Sequence, residues 1–386
     1  MCKEEYSFLG VNMNENNRVK RDIGLDFTRI FAFFSVVSVH FFLNTDFYKR
    51  PINGVKMQML VGARTFFMVC VPLFLLLTGY LQGGKKIDLT KRGIVSYYKK
   101  LRPILIRYIL SMLLVYLFLI LAHREDFSIK NILYGTLGFK HYAWYVNMYI
   151  GLFLLIPFLN IIWNEIENKS VHLILVLVFA SLTILPSIVN IYDLNSFAGI
   201  FSKFDGKKIV HLIPDWWINL FPITYYFIGA YISKYVRIKS LDTGKILTLL
   251  VVSVILSGIY NVFRSHGGNF VSQYWNSWGS FENTLNAVLV FLLINKLSPS
   301  RVGISFGKVI GKISSLTFSA YLISAMTDKF VYAHLNSLQP SIIYSYKYYP
   351  IAVTVSALTS LILAGFVEII AKYIDRKYPS KKVEIY

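Results

Sequence analysis

The feature that most constrains this chain is a series of long apolar runs that recurs from residue 23 to residue 371. As a helix, most of these runs are long enough to cross a hydrocarbon core about 30 Å thick. The pattern therefore predicts an all-α integral membrane protein, a bundle of about ten transmembrane helices. The predicted spans are residues 23–43, 59–81, 103–122, 142–161, 171–191, 214–233, 246–263, 281–296, 315–333 and 350–371.

The composition agrees with a membrane protein and removes a competing interpretation of the charge. Hydrophobic residues make up 55% of the chain, and 40 Lys and Arg stand against 20 Asp and Glu, which gives a net charge of +20. Such a balance suggests nucleic-acid binding when it is concentrated on a soluble domain. Here the basic residues lie in short loops between apolar runs, so we expect no nucleic-acid partner and a lipid bilayer instead.

Loop charge also predicts the orientation of the bundle. One alternate set of loops, with the N-terminal tail, holds about 25 Lys and Arg, whereas the other set holds about 11, and cytoplasmic loops carry the excess. Both termini are therefore expected in the cytoplasm. We expect a cytoplasmic tail over residues 1–20, a polytopic membrane domain over 21–375 and a basic cytoplasmic tail over 376–386.

Three ionisable residues lie in the first apolar run, and they share one helical face. With Asp26 at 0° on a helical wheel, Arg29 falls at about −60° and His40 at about −40°. Arg29 and His40 are roughly 16 Å apart along the helix axis. Charges inside a bilayer face protein or a wet cavity, so the face predicts a polar cavity through most of the membrane. Structural roles remain as alternatives: an Asp26–Arg29 ion pair that fixes the helix, and a hydrogen-bonded core histidine.

A histidine in such a cavity is suited to proton movement, because a neutral imidazole is the usual group that moves protons near pH 7. A cytoplasmic reagent could approach an outward-lying His40 through the cavity, which suits transfer of a group across the membrane. The same stripe also suits a proton-coupled transporter, so the helical wheel alone does not choose between the two.

Several stretches, in order along the chain, resemble the acyltransferase 3 family of membrane-bound O-acyltransferases. Arg29 and His40 have the family's R-x10-H spacing. Asp26 and Arg29 form a D-x-x-R sequence like the one that precedes the histidine in the family. Four further stretches resemble family motifs, although Ser324 stands where the last of them usually has a histidine. They are VCVPLFLLLTGYLQ (69–82), YYKKLRPILIRY (97–108), HYAWYVNMYIGLFLLIPFL (141–159) and SSLTFSAYLIS (314–324).

The resemblance implies a ten-helix enzyme of the cell membrane that takes an acyl group from cytoplasmic acyl-CoA, often acetyl-CoA. The acceptor would be a hydroxyl of extracytoplasmic carbohydrate such as capsule, exopolysaccharide or another envelope glycan. We expect a stand-alone member without a fused esterase-like (SGNH-type) domain. The alternative function is a transporter or flippase for a lipid-linked sugar or a proton-coupled solute, and a third is a non-catalytic assembly factor.

O-acylation needs a base for the acceptor hydroxyl and stabilisation of an oxyanion. We predict His40 as the base, with a transient acyl-histidine as the open variant. Arg29 would orient the donor or stabilise negative charge, and Asp26 would hold Arg29 by a charge-assisted hydrogen bond. We expect no metal, because the two cysteines belong to no metal-like or redox pair.

Other charged and aromatic residues are candidates for binding. The CoA phosphates need cations at the cytoplasmic mouth, and Lys99, Arg102 and Arg107 are predicted there, although the first two also serve as positive-inside markers. The candidates for acceptor binding are Arg64, Trp144, Tyr145 and Glu282. Each has a simpler alternative: Arg64 would reach lipid headgroups, Glu282 would be an interfacial carboxylate, and the aromatic pair would belong to an interfacial belt.

Overall fold

The computed structural model describes residues 11–13, 19–122, 128–137, 141–190, 211–265, 267–299, 303–339 and 341–378. Within these ranges the regular elements are helices, apart from one short antiparallel ribbon in which β1 (Val11–Met13) pairs with β2 (Val19–Arg21). The helices are α1 (Ile23–Asn44), α2 (Gly54–Phe67), α3 (Cys70–Gln82), α4 (Lys91–Tyr98), α5 (Arg102–Leu121), α6 (Ile129–Leu137), α7 (Trp144–Glu165), α8 (Lys169–Thr183), α9 (Pro186–Val189), α10 (Phe221–Tyr235), α11 (Thr243–Ser265), α12 (Phe281–Leu297), α13 (Ile304–Leu338), α14 (Ile342–Ser345) and α15 (Tyr349–Lys377).

Seven helical stretches in the described ranges are long and apolar enough to cross a membrane. They are Ile23–Asn44, Gly54–Gln82, Lys91–Leu121, Trp144–Glu165, Thr243–Ser265, Ile304–Leu338 and Tyr346–Lys377. These stretches coincide with seven of the predicted spans and confirm a helical, multi-pass membrane protein. Shorter helices occupy the other three positions: α8 and α10 have 15 residues each and α12 has 17. The number of ten spans and the orientation therefore stay predictions.

The predicted tails fall largely outside the described residues. Residues 1–10 and 14–18 of the N-terminal tail and residues 379–386 of the C-terminal tail are not among them. The β1–β2 ribbon lies in the segment predicted as a tail and was not anticipated from its sequence. The membrane bundle itself begins at Ile23 and continues to Lys377.

The first helix, α1, lies at the centre of the bundle. It packs against α2, α3, α12, α13 and α15, and 72% of its most apolar window is buried, compared with 28% for α11. Asp22 is the N-cap of α1: its Oδ1 accepts hydrogen bonds from the backbone N–H groups of Gly24 and Leu25 at 2.9 and 3.4 Å. The polar face of α1 is therefore enclosed by other helices rather than turned to lipid.

Two glycines let α3 and α10 touch through their backbones. A Cβ atom on Gly79 would lie 2.0 Å from the carbonyl oxygen of Tyr226, and one on Gly229 would lie 2.2 Å from that of Leu76. Small residues permit such close crossings between membrane helices, where dispersion contacts replace the hydrophobic driving force. This contact fixes α10 against α3.

Candidate active site

His40 of α1 lies against Asp328 of α13. The distance from His40 Nδ1 to Asp328 Oδ2 is 2.7 Å, and the two side chains are 7% and 0% exposed. A carboxylate on Nδ1 fixes the imidazole proton on that nitrogen, so the lone pair of the neutral ring lies on Nε2. Within the described residues, no hydrogen bond engages Nε2. The pair therefore presents a buried imidazole that can accept a proton at Nε2.

The Asp328 carboxylate is held from its other side by α15. Ser356 Oγ donates a hydrogen bond to Asp328 Oδ1 at 2.5 Å. A further hydroxyl cluster lies behind it, in which Thr327 Oγ1 is 3.1 Å from Ser356 Oγ and 2.7 Å from Ser360 Oγ. Hydrogen bonds of this kind restrict the rotation of a carboxylate, so Asp328 can orient the imidazole from α13.

Tyr142 covers one face of the His40 ring. The ring centroids are 3.8 Å apart with an interplanar angle of 32°. Asn44, one turn after His40, donates from Nδ2 to the Tyr142 hydroxyl at 3.0 Å and to the His40 carbonyl oxygen at 2.7 Å. The imidazole is thus restrained at its edge by Asp328 and at its face by Tyr142.

The rest of the charged stripe is also enclosed. Asp26 Oδ1 lies 3.2 Å from Arg29 Nη1, and these side chains are 1% and 15% exposed. A tyrosine lies near each end of the stripe: Tyr142, in the turn before α7, stacks on His40, and the hydroxyl of Tyr149 on α7 interacts electrostatically with Arg29. The stripe thus lies inside the protein, as its position on the helical wheel predicted.

The family model described as an acyltransferase domain matches residues 22–363, from the N-cap of α1 into α15. The chain belongs to the acyltransferase 3 family. It is therefore a membrane acyltransferase, and the resemblance noted from its motifs is confirmed. No curated protein and no solved structure gives a significant match.

Asp328 is the residue of this acyltransferase that reasoning from sequence missed. It lies within the ninth predicted span, 315–333. An ionisable residue inside a membrane span is a candidate for function by default, and that signal was present. Asp328 lies one turn after Ser324, the position where the family usually has a histidine. Ser324 Oγ is 3.5 Å from His40 Nδ1, at the limit of a hydrogen bond, so Asp328 is the closer partner.

The predicted cations of the donor site lie at the other end of the bundle from His40. Arg107 makes a bidentate ion pair with Glu368, with N–O distances of 2.7 and 2.9 Å, and its Nη1 lies 3.3 Å from Asp375. Arg102 donates a hydrogen bond to the carbonyl oxygen of Tyr378. Because Arg107 already joins α5 to α15, it is the least available of the three candidates for a phosphate group.

Arg64 and Glu282 lie together in a buried polar network between α2, α11 and α12. Arg64 is 4% exposed, its Nε donates to the Tyr48 hydroxyl at 2.8 Å, and its guanidinium lies 4.2 Å from the Phe270 ring centroid. Glu282 is 7% exposed and accepts a hydrogen bond from Asn261 at 2.9 Å. This burial does not fit the alternatives in which Arg64 reaches lipid headgroups and Glu282 is an exposed interfacial carboxylate.

The two aromatic candidates differ in accessibility. Tyr145 is 8% exposed and makes an edge contact with Tyr321, with ring centroids 6.0 Å apart. Trp144 is 41% exposed at the start of α7. Of the four residues predicted to bind the acceptor, Trp144 has the most accessible side chain.

Proposed function

We propose that this acyltransferase moves an acetyl group from cytoplasmic acetyl-CoA to a hydroxyl of an extracytoplasmic or lipid-linked polysaccharide at the cell membrane. The observation that carries the proposal is the buried His40–Asp328 pair, placed about 16 Å from Arg29 on the same enclosed helical face. With a cation, Arg29, at one end of this face and a base, His40, at the other, the donor can enter from one side of the membrane and the acceptor can bind on the other side.

In the proposed reaction, His40 Nε2 removes the proton of the acceptor hydroxyl while that oxygen attacks the thioester carbonyl carbon. A carbon–oxygen bond forms and gives a tetrahedral oxyanion. The carbon–sulfur bond then breaks, and the CoA thiolate takes the proton from the His40 imidazolium. The products are the acetyl ester and free CoA, with His40 neutral again. In the variant with an acyl-histidine, Nε2 attacks the thioester first, and the hydroxyl then takes the acyl group from the ring.

Asp328, Arg29 and Asp26 have supporting roles in this mechanism. Asp328 keeps the proton of the neutral His40 ring on Nδ1 and stabilises the imidazolium that forms during proton transfer. Arg29 orients the donor or stabilises negative charge that develops in the enclosed stripe, because charge stabilisation is strong where water is excluded. Asp26 holds the Arg29 guanidinium through their 3.2 Å contact.

At the donor end, the CoA phosphates would meet a cationic cluster from the segments that follow α3 and α4. It includes Lys99 and Arg102 from the sequence prediction and adds Lys85, three residues beyond the end of α3. Burial, together with the nearby charge of Lys100, lowers the pKa of Lys85 to about 8. A partly buried ammonium group beside other cations attracts an anion, so the CoA phosphates are the proposed ligand of this cluster.

The lowered pKa of Lys85 predicts that the KM for acetyl-CoA depends on pH. Lys85 loses its charge as the pH rises through about 8, so the KM for acetyl-CoA should rise between pH 7 and pH 9 by about three- to tenfold. Lys85→Arg should keep the charge and flatten this rise, as initial rates at fixed acceptor concentration would reveal. Lys86→Arg, a change at the exposed neighbour, is the matched control and should leave the profile of the native enzyme intact. A native profile that is flat over this range would contradict a role for Lys85 in donor binding.

Transfer of label from acetyl-CoA tests the function as a whole. The purified protein in lipid nanodiscs would receive acetyl-CoA labelled in the acetyl group together with envelope polysaccharide from cells that lack the gene. We expect base-labile label on the polysaccharide, and mass spectrometry would then give the acyl mass and the acceptor sugar. Movement of a lipid-linked sugar across vesicles without any acyl transfer would instead support the transporter.

A further inference from the structure

Two tryptophans from distant parts of the chain meet beside the His40 site. Trp144 begins α7, and Trp278 lies in the loop before α12; their ring centroids are 5.8 Å apart with an interplanar angle of 33°. Trp144 is 41% exposed and Trp278 is half-buried. The pair therefore presents aromatic surface to the outside of the bundle while each ring supports the other.

The pair lies close to the reacting end of the stripe. Trp144 lies two residues after Tyr142, and the ring centroids of Tyr142 and His40 are 3.8 Å apart. Two residues span at most about 7 Å of backbone, so Trp144 lies within that distance of the residue that covers His40. The other exposed tryptophans of the described chain, Trp216 and Trp217, are 86% and 50% exposed and belong to a different segment, before α10.

Buried asparagines hold the loop that carries Trp278. Asn276 is 1% exposed and donates from Nδ2 to Asn261 Oδ1 and to the carbonyl oxygen of Val271, both at 2.8 Å. Asn283 donates from Nδ2 to the carbonyl oxygen of Ser277 at 2.7 Å. Asn261 itself is fully buried on α11 and also binds Glu282. The buried network that contains Arg64 and Glu282 thus also holds this loop in place.

The backbone at Trp278 is fixed as well. The Tyr225 hydroxyl of α10 donates to the carbonyl oxygen of Trp278 at 2.8 Å. At the next residue, a Cβ on Gly279 would lie 2.8 Å from Cβ of Phe221, so the loop can approach α10 only because this position is glycine. A rigid loop with buried polar supports positions an aromatic ring for a ligand and reduces the entropy lost on binding. A tryptophan that only anchors the protein in the headgroup region does not need such support.

We propose that Trp144 and Trp278 form a stacking platform for a pyranose ring of the carbohydrate acceptor, next to the sugar whose hydroxyl reacts at His40. This inference rests on the proposed function. One face of a pyranose ring carries several C–H groups, which pack on the negative face of an aromatic ring. The hydroxyl groups at the rim of the sugar stay hydrated, which suits a half-exposed pair of rings.

Binding and kinetic measurements on three single variants test the platform. Trp144→Ala and Trp278→Ala remove one ring each, and Trp216→Ala removes an exposed ring outside the platform as the matched control. The probe is a set of short oligosaccharides released from the envelope polysaccharide of cells that lack the gene. Calorimetry would give their Kd, and transfer rates would give the KM for the oligosaccharides and for acetyl-CoA.

We expect Trp144→Ala and Trp278→Ala each to raise the Kd and the KM for the oligosaccharides by about five- to tenfold. The KM for acetyl-CoA should stay as in the native enzyme, and Trp216→Ala should change none of these values. Trp144→Phe keeps a ring and should recover most of the affinity, which separates stacking from a folding defect. Equal binding by the native protein and both alanine variants overturns the platform while transfer still supports the function. Absence of both binding and transfer in the native protein overturns the function, and the platform with it.

Discussion

Replacing His40 by alanine should reduce acyl transfer by about a thousandfold or more. The variant loses the only base that the proposed mechanism uses, and water in its place has no partner that fixes its position as Asp328 fixes the imidazole. The measurement is transfer of labelled acetyl from acetyl-CoA to envelope polysaccharide by the purified variant. The same loss should appear in cells as unacetylated surface glycan.

The matched control for this variant is His334→Ala. His334 lies on α13, six residues after Asp328, and its side chain is exposed. This change should leave the rate of acyl transfer within about twofold of the native rate, since exposed side chains away from the site rarely contribute to stability or activity. Both variants should reach the membrane at the level of the native protein. Normal acetylation by His40→Ala would remove the proposed mechanism and leave the histidine a structural role.

Replacing Asp328 by asparagine should lower kcat by about a hundredfold or more, because the tautomer of the histidine would change. The asparagine amide can donate to Nδ1, which moves the imidazole proton to Nε2. The nitrogen that must accept the acceptor's proton would then already carry one. The KM for acetyl-CoA should change little, since Asp328 contacts His40 rather than the proposed donor cluster.

Ser324→Ala separates the tautomer effect from a general disturbance of α13. Ser324 also approaches His40 Nδ1, but at 3.5 Å rather than the 2.7 Å of Asp328. Its loss should reduce kcat by no more than about threefold, because a contact at that distance is a weak hydrogen bond. Full activity in Asp328→Asn, or equal losses in the two variants, would show that the carboxylate does not orient the imidazole.

Much of the fold follows from local sequence, because a membrane span is a local property. Seven predicted spans coincide with helices long enough to cross a bilayer. The shorter α12 shows where hydropathy is insufficient: Glu282 and Asn283 lie in its first turn and bind Asn261 of α11 and the backbone of the preceding loop. The start of α12 is therefore fixed by a tertiary polar network, which apolar runs do not reveal.

The candidate site was predictable where its residues share one helix. Asp26, Arg29 and His40 lie on one face of α1, so a helical wheel brings them together. The partner of His40 was not predictable, because 288 residues separate it from Asp328 and nothing in the sequence indicates which helix meets α1. Likewise, Arg64 and Glu282 were identified separately as acceptor contacts, and only the structure places them in one buried network.

The long separation between His40 and Asp328 has a consequence for biosynthesis. At about 5–20 residues per second, the ribosome needs roughly 15–60 s to add the 288 residues between the two partners. During that time α1 already resides at the membrane without Asp328. The Asp26–Arg29 pair needs no later helix, because both residues are on α1. The nascent helix can therefore neutralise its inner charges at once, whereas His40 gains its carboxylate partner only when α13 arrives.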